Sequence, residues 1–259
     1  MSRVRRVRAE TVAAGKAFLR RRTAVFFTFF FPAIIILIFG ALVNTAGGSG
    51  GVFTEPPGYY VPGYLAVVVL FTPLSRVGSE VARHREGNRF EKLATTPLRR
   101  WEWLAGQTLV NVAVIGAAAA GILALVVAVT GASVRFSPLL VPYVVFGVAL
   151  FCGLGAVLGR VSDSQDGVIA ASNGVALPLL FLSETFVPPG LLPEWLPLWL
   201  SPLTYFSRGV RAAAYVPEGT VAASTVPGAL PPELFNLAVL AALAVAFFVA
   251  GAVAIPRTD

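Results

Sequence analysis

Six apolar runs, at 23–43, 59–75, 107–130, 138–159, 167–183 and 234–255, account for nearly half of the sequence and leave charge only in the segments outside them. Each run has 17 to 24 residues, the length over which a helix crosses a hydrocarbon core. Inside such a core every backbone N–H and C=O must be bonded within the protein, and a helix does this within a single segment. Composition agrees. With 56% hydrophobic and 13% charged residues, the chain has too little polar surface for a soluble domain. The expected fold class is an all-α integral membrane protein of six transmembrane helices, a single membrane domain over 1–259.

The formal net charge of +7 raises the question of nucleic acid, but the placement of the cations answers it. If both termini lie inside, the inner segments hold eight Arg/Lys in 1–22, seven in 76–106, one at Arg160 and one at Arg257. The outer segments hold none in 44–58, one at Arg135 and two at Arg208 and Arg211. That bias is the positive-inside pattern and predicts N- and C-termini in the cytoplasm, with no nucleic-acid partner. Within 1–22, Val4, Val7, Thr11, Ala14 and Phe18 recur at three- and four-residue spacing, which predicts a basic amphipathic helix along the inner membrane surface, in contact with lipid. A cleaved signal peptide is the alternative for this region. It is disfavoured because the apolar run that follows is too long for an h-region and Asn44-Thr45-Ala46 is a poor cleavage site. Two Lys against eighteen Arg, with abundant Ala and Gly, point to a GC-rich prokaryotic genome and so to a prokaryotic plasma membrane.

Little in the sequence supports chemistry of its own. His84 is the only histidine and Cys152 the only cysteine, so neither a His/Cys metal site nor an intramolecular disulfide is expected. Gly47–Gly51 matches G-x-S-x-G in a Gly- and Pro-rich loop, without the strand, helix and triad histidine that a hydrolase elbow requires. A membrane-embedded enzyme would have to rely on Asp163 and Asp166 in the short turn 160–166, where no third ligand accompanies them. A secondary transporter or channel would carry an ionisable relay in mid-membrane, and none is clearly placed there. Gly155 and Gly159 form a GxxxG pair that permits close helix contact but also arises readily in a Gly-rich chain. Ser172, Asn173 and Pro178 lie within the fifth run and serve either as packing and kink devices or as part of a path. In 184–215, Pro188, Pro189, Pro193, Pro197 and Pro202 break any long helix while the segment stays largely apolar around Trp195 and Trp199. Short outer re-entrant helices satisfy both facts. Arg208 and Arg211 are three apart and share a helical face.

The segment 76–106 concentrates seven Arg/Lys and four Glu between two spans. Arg76 to Glu86 can prolong the second helix beyond the bilayer, and Gly87-Asn88 then breaks it. A short helix over 89–94 follows, with Phe90, Leu93 and Ala94 on one face. Thr96-Pro97 has N-cap and N1 chemistry for a returning helix, and Trp101 and Trp103 suit the headgroup level. These features fit a lever between two helical arms or an ordinary solvated loop. The segment resembles the cytoplasmic coupling segment of ABC transporter permeases of the type-two class, on Arg85, Glu86, Gly87, Glu91, Leu93, Thr96, Pro97 and Glu102. Asn88 stands where that family often has Thr. A second resemblance covers 181–215, with its Leu-Ser, Pro, Leu-Pro, Trp and Pro-Leu-Thr-Tyr elements, and here Glu184 replaces a common Gly, which makes a more acidic or differently packed entrance the expectation.

The resemblance implies a permease homodimer with a path lined mainly by the first, second and fifth helices. It also implies two copies of an ABC ATP-binding subunit that grip the coupling helices, bind ATP and Mg themselves, and drive outward movement of a drug-like, lipid or glycan substrate. No cofactor is expected in this chain, because G-x-x-x-x-G-K-[ST] is missing and Gly15-Lys16-Ala17 is only a fragment of it. The residues so implied for ATPase coupling are Arg85, Glu86, Arg89, Phe90, Glu91, Lys92, Leu93, Thr96 and Pro97. Those implied for the path or outer gate are Ser172, Asn173, Ser183, Glu184, Pro188, Tyr205 and Arg208.

Overall fold

A computed structural model describes residues 2–38, 57–186, 192–193, 195–215 and 230–256. Among these residues the chain forms helices α1 (Arg3–Arg20), α2 (Arg22–Ile36), α3 (Val61–Glu86), α4 (Arg89–Ala94), α5 (Arg100–Thr130), α6 (Leu140–Val161), α7 (Gln165–Phe181), α8 (Pro202–Ala214) and α9 (Pro232–Ala254). No strand forms among them, and the sole extended pairing is an isolated bridge between Val134 and Tyr215.

Among the described residues four helical stretches are long and apolar enough to cross a membrane: Gly58–Glu86, Arg100–Thr130, Leu140–Val161 and Pro232–Ala254. Two of the six sequence-predicted spans fall short of this. The first is described only as far as Ile38, so its outer end lies outside the described residues, and α7 has 17 residues. At 1.5 Å per residue α7 reaches about 26 Å, slightly less than a hydrocarbon core of about 30 Å. By the same rise the 26 residues of α3 and the 31 of α5 reach about 39 and 46 Å. Both therefore extend past the apolar layer, and α4 lies between their projecting ends.

Helix α6 is central, packed against α3 on one side and α9 on the other, with α7 along α3 and α8 against α9 and α3. Tyr143, Phe151, Leu70, Leu74, Leu150 and Phe206 fill this centre. The α3–α6 contact is made backbone to backbone. A Cβ on Gly155 would sit 3.2 Å from Leu74 Cα and closer still to the Leu74 carbonyl oxygen, and one on Gly159 would overlap the Gly78 carbonyl oxygen. The GxxxG pair is thus a packing seam. On α9 the buried residues Asn236, Leu240, Ala244 and Gly251 form one stripe, while Val245, Val249 and Val253 are exposed. A helix that is apolar all round but buried on one stripe is suited to lipid on its other faces.

Helix α1 lies along α5. Ala14 and Phe18 are buried, as their spacing predicts, but Val4 at the free end is 78% exposed.

Candidate functional site

The α3–α4–α5 corner is built by local backbone rules. Helix α3 stops at Gly87, and Asn88 adopts the left-handed conformation with φ 49° and ψ 34°. Asn tolerates that region, whereas a β-branched Thr there would be strained, so the residue that departs from the usual pattern suits the turn it makes. Thr96 does not cap the returning helix. Its Oγ1 donates to the Leu93 carbonyl at 2.7 Å and closes the end of α4. Helix α5 begins at Arg100, where Glu102 accepts the Arg99 backbone N–H at 2.9 Å. The returning helix therefore starts later than Thr96-Pro97 and earlier than the apolar run at 107, because a carboxylate three residues into the helix satisfies an open N-terminal donor.

Glu102 itself is fully buried. Arg6 on α1 grips it bidentately, Nε to Oε2 at 2.8 Å and Nη2 to Oε1 at 2.5 Å. One turn further on, Gln107 donates to Glu10 at 2.9 Å, and burial pushes the Glu10 carboxyl up from its usual range. These two contacts fasten α1 to the beginning of α5. They were hidden in the sequence, since partners nearly a hundred residues apart leave no spacing signal.

Trp103 is not at a headgroup surface. It is 2% exposed and packs edge-on against His84 at 5.3 Å and Phe90 at 5.6 Å, while His84 stacks near Phe90 at 5.2 Å. His84, Phe90 and Trp103 come from α3, α4 and α5 respectively, so the aromatic cluster fixes the short helix to both arms. Trp103→Ala is expected to destabilise the protein by about 3 kcal/mol, with Trp103→Phe costing much less. Thermal unfolding in detergent reads this, and an Ala variant that melts with the wild type would remove the cluster's structural role.

Opposite this buried side, Arg89, Glu91, Lys92, Thr96 and Pro97 are exposed, and Leu93 is half-buried. Arg85 and Glu86 point elsewhere. Arg85 donates to the carbonyls of Arg160 and Ser162 at 2.8 Å and of Gly159 at 3.3 Å, at the C-terminus of α6. The Glu86 carboxylate accepts from the Gln165 backbone N–H at 3.0 Å and its side-chain amide at 3.1 Å, at the N-terminus of α7. Each charge meets the helix end of opposite polarity. An exposed charge in that position contributes only about 0.3–1 kcal/mol, so the pair's main consequence is positional. It ties the α3 end of the corner to the turn between α6 and α7.

At the far end of the bundle Glu184 is buried and ion-paired with Arg208, whose Nε donates to Oε2 at 2.9 Å. Arg211 donates to the Glu184 carbonyl at 2.6 Å and lies 4.0 Å over the Tyr59 ring. The shared face of Arg208 and Arg211 is used as expected. Glu184 adds a compensated charge, so the expectation of a more acidic entrance gives way to one of different packing. Ser183 bonds to Thr185 and to the Leu180 carbonyl, and Tyr205 donates to the Trp199 carbonyl at 3.0 Å. Pro188 and the G-x-S-x-G match at 47–51 lie outside the described residues.

On α7, Ser172 is buried and Asn173 is exposed towards a cavity of about 870 Å³ between α1, α2, α3, α5 and α7. A second cavity, about 990 Å³, separates the Phe90–Leu93 side of α4 and the beginning of α5 from the end of α9 at Phe248, Ala252 and Ile255.

Six apolar runs, a short helix fixed between two projecting arms and a proline-broken far segment together describe a transporter membrane domain. The sequence model of the ABC-2 type transporter family matches residues 7–215, which includes α4, the two arms α3 and α5, and the Glu184–Arg208 pair. The chain belongs to the ABC-2 type transporter family. It is a multi-pass membrane protein and the membrane subunit of an ABC transporter, a family that normally pairs with an ATP-binding subunit. No curated protein is similar enough to add a relative to this match. In this ABC-2 chain two sets of long-range contacts, Arg6 with Glu102 and Arg85 and Glu86 with the α6–α7 turn, connect the corner to α1 and to the beginning of α7.

Proposed function

We propose that this chain is the membrane subunit of an ATP-driven exporter, with six spans, both termini cytoplasmic, in a prokaryotic plasma membrane. Two copies form the permease, and each engages one ATP-binding subunit, which binds ATP and Mg. The cargo is an amphipathic drug-like, lipid or glycan molecule. The observation that carries this reading is the α4 corner: a short helix exposing Arg89, Glu91 and Lys92 while Phe90 is locked between α3 and α5. A force applied at α4 passes to both arms, and through Arg85 and Glu86 to the turn that begins α7. The path follows α2, α3 and α7 past Ser172 and Asn173. The Glu184–Arg208 pair with Ser183, Tyr205 and Pro188 forms the outer gate. The cavity between α4 and α9 leaves space for the lever to tilt.

Co-expression with a cognate ATP-binding subunit tests the reading. The two are expected to co-purify, and the ATPase rate is expected to rise when the permease is reconstituted with a transported substrate. Substrate movement driven by a proton gradient with no ATPase present would overturn it.

A further inference from the structure

Arg76 is an unusual residue for its location. It follows directly on the second apolar run, about 22 Å along α3 from Val61 at 1.5 Å per residue, and is half-buried there, where a cation withdrawn from water needs compensating contacts. Its side chain lines the 870 Å³ cavity. Nη1 donates to Asn111 Oδ1 at 3.1 Å, and Cζ lies 4.6 Å over the Phe18 ring. A guanidinium carries five N–H donors, yet among the described residues this is the one hydrogen bond Arg76 makes, and no carboxylate lies within ion-pair distance of it. Glu80, one turn away in the same wall, is engaged with Arg21 at 3.5 Å, with Arg83 and with His84 at 3.8 Å. The cavity therefore holds a cation whose charge the protein does not neutralise by direct contact.

The walls around it divide by chemistry. Ser75, Ser79 and Gln107 supply polar atoms to the lining, while Phe18, Phe27 and Phe71 supply apolar surface. The volume is that of a small-molecule pocket, and a guanidinium fork matches the paired oxygens of a carboxylate or phosphate. The geometry points to a binding site for an anionic amphipath, with its carboxylate or phosphate on Arg76 and its apolar tail along Phe18, Phe27 and Phe71. This inference rests on the transport reading only in naming the cargo class of the proposed path, which Asn173 also lines. Binding itself requires no ATPase.

The test uses the full-length chain alone in phosphatidylcholine nanodiscs, with dansylundecanoate as a fluorescent anionic probe. Wild-type protein is expected to bind it saturably, less tightly as salt rises, and to release it to lysophosphatidate but not to lysophosphatidylcholine or inorganic phosphate. Arg76→Gln is expected to weaken binding by about tenfold or more, the size of a lost charge-assisted hydrogen bond. Ser79→Glu leaves Asn111 and Phe18 in place and puts a carboxylate in the wall that competes for Arg76, so it is expected to weaken binding similarly while the protein still unfolds cooperatively. The inference is overturned if both variants bind as the wild type does. It is overturned equally if the zwitterionic lipid displaces the probe as well as the anionic one, or if inorganic phosphate suffices. Failure to co-purify with an ATP-binding subunit would sink the transport reading and leave these binding results standing.

Discussion

Glu91→Lys is expected to abolish substrate-stimulated ATPase activity and transport in the reconstituted complex while leaving the isolated permease melting within about 2 °C of the wild type, as an exposed surface change should. The separation follows from where the charges of the corner point. Glu91 and Lys92 are exposed on α4, so reversing Glu91 alters the face offered to the partner without removing an internal bond. A like-charge contact at such an interface costs both association rate and affinity. Glu86→Lys is the informative contrast. It removes the acceptor of the Gln165 amide and places a cation at the N-terminus of α7, where the helix dipole disfavours it. It should impair transport while partner binding persists. Pull-down affinity measured beside ATPase rate distinguishes the two: loss of docking for Glu91→Lys and loss of coupling for Glu86→Lys. Equal docking by wild type and Glu91→Lys would exclude α4 as the contact.

The short helix α4 is legible in the sequence because its determinants are local. Gly87-Asn88 forces a break whatever surrounds it, and the apolar spacing of Phe90 and Leu93 defines which side of a six-residue helix turns inward. The start of α5 departs from its local signal for the opposite reason. Thr96-Pro97 has the local chemistry of a helix start, but Thr96 is used by the preceding helix and the decisive group is Glu102, stabilised by Arg6 from the other end of the sequence. Trp103 illustrates the same limit. An aromatic near a membrane boundary suits the headgroup layer unless the fold brings rings from two other helices against it, as His84 and Phe90 are brought here. Arg76 belongs to the densely charged stretch in sequence, yet in space it bonds to Asn111, lies over Phe18 and lines a cavity. Charge density along the chain cannot distinguish it from its solvated neighbours.

The α3–α6 seam should be the least tolerant place in the bundle. Gly155→Leu puts a Cβ against the Leu74 backbone and a side chain beyond it, and backbone atoms cannot change rotamer to make room. Overpacking a close-packed contact costs about 1–3 kcal/mol, and here the upper end applies, since Gly78 and Gly159 are pressed against the facing helix in the same way. A loss of about 3 kcal/mol corresponds to a fall in Tm of roughly 6–12 °C for a chain of this size. The control is Gly116→Leu on α5, where nothing lies within 4 Å of the added atom, and its melting curve should stay near the wild type. The functional effect should exceed the loss of stability. Helix α3 carries Arg76 towards the cavity and Arg85 and Glu86 towards the α6–α7 turn, so on the proposed mechanism separating α3 from α6 should uncouple α4 from the path even in molecules that remain folded. Gly155→Leu protein at a temperature well below its Tm should therefore still dock an ATP-binding subunit through α4 yet show no substrate-stimulated ATPase. If it melts like Gly116→Leu, the seam is not the close contact described; if it stays coupled, force reaches the path by another route.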